Sequence, residues 1–191
     1  MDSVSSESTQ VRLIYILALY RKNMYEKRDA YIRVAVAMCK AGRKDLYATK
    51  GHSDYFLRGI IDYTPEGKKA NLNIKYGPIA YRYSIKASKL KYIPSAYQDR
   101  VKGNKPEKLH AEHVIPNIMI FERLVTLADA GTSDDELVDF LRKSCQVVVI
   151  TKEERTVLDS ELGLTKTMPS IWKWGDDPIV RLQTAGIELE S

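Results

Sequence analysis

The chain has 191 residues, 44% hydrophobic and 29% charged, which suits one globular domain with a real core and excludes a disordered or fibrous chain. Its formal charge of +5 favours a polyanionic partner. Two cysteines far apart in sequence, Cys39 and Cys145, exclude a disulfide framework or zinc ribbon and read as reduced, buried thiols.

Residues 1–8 form a Ser-rich tail, and residues 9–68 read as mainly helical. The first helix spans Gln10 to about Tyr20. Its apolar run carries Arg12, is too short for a bilayer and lacks a small-residue cleavage site, so it reads as a core helix. The expectation is a soluble, cytoplasmic protein with no membrane association. A second helix runs from Arg28 to Lys40 with Gly42 as its stop; Ala30, Ile32, Val34, Ala35, Val36 and Met38 make it mostly buried. His52 lies in Lys50-Gly-His-Ser-Asp54, which reads as a plain polar turn.

Residues 69–107 form a basic strand and arm region. Asn71–Tyr76 and Ile79–Ile85 alternate at period two around Gly77-Pro78, the pattern of a hairpin or two successive strands. Between Tyr81 and His110 lie Arg82, Lys86, Lys89, Lys91, Arg100, Lys102, Lys105 and Lys108, against Asp99 and Glu107 alone. This net +6 exceeds the charge of the whole chain. Tyr81, Tyr83, Tyr92 and Tyr97 are interleaved with these cations. Cations that meet phosphates, beside rings that stack on bases, are what a nucleic-acid surface needs, although a charge run is usually a solvated face.

The basic stretch leads into His110-Ala-Glu-His-Val-Ile-Pro116, which holds two of the three histidines in the chain. It reads as a strand ending in a turn, with His110 and Glu112 on one face and His113 on the other. Glu112-His-Val-Ile-Pro116 resembles the first motif of the HNH, or ββα-metal, endonucleases, over about residues 105–165. The resemblance implies a divalent metal held by Glu112, Mg²⁺ in preference to Mn²⁺, and His113 as the general base that deprotonates water. His110 would be a further ligand or a positioning group.

The family's second strand and helix have counterparts. Two helices, Asn117 to about Ala130 and Asp134 to about Ser144, come first, divided by Gly131-Thr-Ser133 with Ser133 as N-cap. Gln146–Ile150 is a β-branched strand, and Thr151-Lys-Glu-Glu154 is a capping box opening a helix that stops at Gly163. In place of the family's Asn or His, the helix offers Glu153, Glu154, Arg155 and Asp159. Asp159, Glu153 or Glu154 would supply the second metal oxygen, with nothing in the sequence choosing between Asp159 and Glu153, and Glu154 also has a structural explanation as the capping-box partner. Residues 164–191 form an extension in which Trp172 and Trp174 read as a core lid, and Asp177 caps a short helix over about 178–184.

These readings combine into a single α+β domain: N-terminal helices on a small antiparallel sheet, with a divergent ββα-metal-like element at 108–163 that contains a helical insertion. The function expected first is a metal-dependent endonuclease acting on DNA in preference to RNA, with a homodimer left open. The second is a non-catalytic, basic nucleic-acid-binding or regulatory protein with a degenerate ββα-like element. A zinc hydrolase using His110, Glu112 and His113 is weaker, because neighbours on a strand do not all face one tetrahedral ion.

Overall fold

The structure is a computed structural model that describes residues 28–41, 82–90 and 109–190. The elements are α1 (28–40), β1 (Arg82–Tyr83), α2 (Ile85–Ser88), β2 (Leu109–His113), α3 (Asn117–Asp129) and α4 (Asp134–Ser144). After them come β3 (Val147–Thr151), α5 (Lys152–Thr156, prolonged by a π turn, Val157–Glu161) and α6 (Val180–Thr184). The expected helix at 10–20, strand at 71–76, hairpin turn, His52 and polar arm lie outside the described residues.

The fold is mixed α+β, and its strands lie in the order β1-β3-β2. β2 runs antiparallel to β3, but β1 runs parallel to it, so the sheet is mixed and not the antiparallel one expected. β1 also ends at Tyr83, before the end of the strand read at 79–85, whose residues 79–81 lie outside the described residues. The Ser84 hydroxyl acts as an N-cap, accepting from the Ala87 amide at 3.0 Å, and the chain enters α2 where alternation predicts strand. Ile85 is consequently 42% exposed.

One layer is helical. Ile32, Ala35, Val36 and Cys39 recur at helical spacing on α1 and pack with Ile120, Leu124, Leu137, Val138 and Leu141 of α3 and α4. Thus α1 seats on helices instead of on the sheet, and it buries one stripe only, with Ala30 and Val34 facing out. Arg28 donates to the carbonyls of Arg142 and Cys145 at the end of α4, while Lys40 pairs with Asp134 at its start. The two helices are therefore antiparallel. α3 and α4 are joined through Gly131, whose φ of +81° is open to glycine at little steric cost. Ser133 then opens α4 with a complete capping box.

The second layer is the sheet. Val148 and Ile150 pack on one face with Leu158, Leu164, Leu182 and Ile187 from α5, its π turn and the C-terminal segment. Tyr83, Ala87, Leu109 and Val149 fill the other face. Helix α5 packs back on both β2 and β3, so two antiparallel strands and a helix follow in the order the sequence suggests. Cys39 and Cys145 are free and buried, and burial pushes the Cys145 thiol up to about 12. No helix among the described residues is long and apolar enough to cross a membrane.

Candidate functional site

Register decides which side chains meet on β2. His110 and Glu112 pair with Ile150 and Val148, and Ala111 and His113 pair with Val149 and Val147. Directly opposed residues share a face, so His110 and Glu112 lie on one side of the sheet and His113 on the other, as the period of two requires. The expected base and the expected metal ligand therefore stand on opposite faces.

Glu112 is nearly buried, at 8% exposure, and its two carboxylate oxygens have separate partners. Oε1 accepts from Arg181 Nη1 at 2.9 Å, and Oε2 lies 3.2 Å from His110 Nε2. Burial pushes the Glu112 carboxyl up, but the His110 hydrogen bond and the Arg181 charge together outweigh it and hold the group below its ordinary pKa. Arg181 is itself fully buried, and each of its three guanidinium nitrogens donates. Its Nη1 also donates to the His113 carbonyl at 2.7 Å, and Nε and Nη2 donate to the Leu164 carbonyl at 3.0 and 2.7 Å. The guanidinium thus fastens the end of β2 to the chain after α5, using the fixed fork that lysine lacks.

The other expected ligands are similarly engaged. Glu154 is buried and accepts from the Thr151 amide at 2.8 Å and the Ser84 hydroxyl at 2.6 Å, while the Thr151 hydroxyl accepts from the Glu154 amide. It is the capping-box partner the sequence indicates, and through Ser84 it also ties α5 to the start of α2. Asp159 accepts from Arg155 Nε at 3.0 Å. Among the described residues, no group of three His, Cys, Asp or Glu side chains converges as a metal site would. A hard dication at Glu112 would also face the Arg181 charge, so the donor set here does not fit the metal that the HNH resemblance implies.

What the arrangement can do is orient an imidazole. His110 is 26% exposed at its side chain, with Nε2 directed at a carboxylate that a buried guanidinium holds in place. That is the geometry of a base and its positioning group.

Of the expected nucleic-acid contacts, Arg82, Lys86 and Lys89 are described and exposed, and no described carboxylate pairs with any of them. Lys91, Arg100, Lys102, Lys105 and Lys108 lie outside the described residues. Arg82 stands opposite Val148 on the strand that separates it from Glu112, so Arg82, Val148 and Glu112 form one row on one face. Two strand spacings put the Arg82 and Glu112 backbones about 10 Å apart across the sheet.

Sequence reasoning missed Arg181 and Ser84. A signal existed for each: an arginine inside the apolar run Ile179-Val-Arg-Leu182, and a serine three residues before an alanine at the end of an alternating segment. The two tryptophans do form a lid. Trp172 is buried and meets Trp174 edge-to-face at 4.9 Å, and Phe140 lies 5.5 Å from Trp174. Comparison with family models, curated proteins and solved structures found no match to this chain.

Proposed function

We propose that this chain is a basic nucleic-acid-binding protein, acting on DNA in preference to RNA, in which β2, β3 and α5 are a scaffold and not a metal-dependent catalytic centre. The observation that carries the binding half is the surface trio Arg82, Lys86 and Lys89, uncommitted to any described carboxylate. Lys86 and Lys89 are three apart at α2 and lie on one side of it, while Arg82 stands on β1 on the sheet face opposite the one that Ala87 of α2 packs against. They open the +6 stretch, and phosphate contacts by such side chains supply most of a sequence-independent affinity. The non-catalytic half is supported by the engagement of Glu112 with Arg181, of Glu154 with Thr151 and Ser84, and of Asp159 with Arg155.

The test is anisotropy of labelled duplex DNA against salt concentration, with and without EDTA. Binding should be unchanged by EDTA. The Arg82→Ala/Lys86→Ala/Lys89→Ala variant should bind more weakly, and its slope of log affinity against log salt should fall by about 0.9 for each phosphate no longer neutralised. An unchanged slope would remove these residues from the interface.

A hydrolytic reading keeps one observation in its favour, the accessible His110 held by Glu112 at 3.2 Å. In that reading His110 takes the proton and His113 does not, with Arg82 in the same face as an anchor for phosphate. Nicking of supercoiled plasmid, assayed with Mg²⁺, Mn²⁺ or EDTA, decides. Cleavage abolished in His110→Ala and kept in His113→Ala would install this reading. Cleavage that needs metal and is abolished in His113→Ala would restore the endonuclease of the HNH type. No cleavage in any condition leaves the binding protein.

A further inference from the structure

Away from β2, the C-terminal segment and α3 enclose an open groove of about 580 Å³, a size in the range of small-ligand sites. Its floor is Met119, Met168 and Trp172, its wall is Trp174, and Lys166 and Lys173 stand on its rim. Both tryptophans of the chain are here.

The aromatic wall is held in place before any ligand arrives. Trp172 Nε1 donates to the Asp176 carbonyl at 3.4 Å, and the Lys173 amide donates to Asp176 Oδ2 at 2.8 Å, so the loop that carries both rings is closed on itself. Trp172 supports Trp174 edge-to-face, and the Arg123 guanidinium stands 6.0 Å from the Trp174 ring. Among the lining residues two lysines face one carboxylate, and Asp176 on the same loop is engaged by the Lys173 amide. Lys166 and Lys173 are exposed, and Glu122 is the one carboxylate among the lining residues. A partly exposed indole beside cations suits a ligand that is flat and apolar in one part and anionic in another.

We infer that this groove takes an unpaired base of single-stranded nucleic acid, stacked on Trp174, with the flanking phosphates at Lys166 and Lys173. The inference rests on the nucleic-acid reading and deepens it by placing a second, strand-selective contact on a different surface from β1 and α2. Base stacking on an aromatic wall is tolerant of sequence and unavailable to a paired base, so the groove would select single strands over duplex.

Because the groove holds both tryptophans, intrinsic fluorescence of the full chain reads it directly. Titration with a single-stranded DNA oligonucleotide should quench the emission, and the matching duplex should leave it unchanged. Trp174→Leu should weaken single-strand binding about tenfold by anisotropy, in line with the loss of one stacked base. Lys166→Ala/Lys173→Ala, at exposed positions that cannot upset the core, should weaken it by a similar factor and flatten the salt dependence. Single-strand binding that proceeds without quenching, or that is unmoved in the lysine variant, overturns this inference while the binding function stands. Absence of any DNA binding overturns both. Quenching by an acidic amphipathic peptide in preference to the oligonucleotide assigns the groove to a protein partner and also overturns it.

Discussion

Among the described residues, two arginine–carboxylate pairs join segments distant in sequence, and the two differ in what surrounds the charge. Between α1 and α4, Arg142 holds Asp29 through two parallel contacts of 3.1 and 2.6 Å, and both side chains are more than a third exposed. Beneath the sheet, Arg181 holds Glu112 at 2.9 Å with no exposure of its own. The exposed pair is bidentate and the buried one a single contact, yet burial makes the consequences opposite. Water screens the first pair, so each partner is well solvated if the other is removed. The second pair is shut away from water, and removal of either partner leaves a buried charge without compensation. The lesson bears on function, since a carboxylate needed to neutralise a buried arginine is poorly placed to serve a metal.

The largest expected effect comes from breaking the buried pair. Arg181→Ala should cost about 3–5 kcal/mol, since it leaves Glu112 inside the protein beside His110 alone and strips donors from the Leu164 and His113 carbonyls. For a chain of this size that is a fall of roughly 10 °C or more in melting temperature, measurable by calorimetry. Pairing Arg181→Met with Glu112→Leu sharpens the point. The double variant should regain part of the loss by removing both charges, but only part, because the two carbonyls stay unsatisfied. Full recovery would mean the backbone contacts of Arg181 contribute little.

Acid gives a second handle on the same pair. The folded-state pKa of Glu112 is held below its ordinary value of 4.5. Its contribution is therefore complete above that value and disappears as pH falls through the lower, folded one. Melting temperature followed downward from neutral pH should drop below 4.5, and Glu112→Gln should flatten that limb relative to the parent. A limb of equal steepness in both proteins would show that other carboxylates dominate acid unfolding.

The buried Glu154 network should respond less than Arg181. Ser84→Ala removes the hydroxyl that donates to Glu154 at 2.6 Å and caps α2 through Ala87, but Thr151 continues to serve the carboxylate. A loss of about 1–2 kcal/mol is expected by denaturant titration, the sum expected for one cap and one buried hydrogen bond.

Much of this architecture is readable from local signals. Ser133 and Thr151 are capping-box residues, and the helices they open begin where those boxes predict. The β-branched run at 146–150 is a strand displaced by one residue, Val147–Thr151. The split of His110 and Glu112 from His113 follows from strand period alone. What sequence could not supply is the long-range partner. Glu112 and Arg181 are 69 positions apart, and Ser84 and Glu154 are 70 apart. Nothing local to Glu112-His113 announces that an arginine will arrive from the far end of the chain to take the carboxylate. The motif that suggests a metal site is thus legible as a strand end, while its chemistry is fixed by a contact that no window of the sequence contains. Ser84 escapes for a different reason: the alternation of Tyr81, Tyr83 and Ile85 and the capping preference of Ser84 compete over the same residues, and the cap prevails.

The smallest expected effect belongs to the exposed pair, and it is the control that gives the comparison its meaning. Asp29→Ala removes a bidentate partner of Arg142 but leaves Asp139 2.9 Å from the same guanidinium, in water. The cost should be about 0.2–1 kcal/mol and should shrink further in high salt, where screening acts on exposed charges and hardly on buried ones. Arg181→Ala should show almost no salt dependence over the same range. If instead Asp29→Ala matched Arg181→Ala in size, burial would not be what separates the two sites. Antiparallel docking of α1 on α4 would then depend on its charged ends more than on Ile32, Ala35, Val36 and Cys39. Unequal losses with unequal salt responses place the decisive charge under the sheet, where Arg181 holds Glu112.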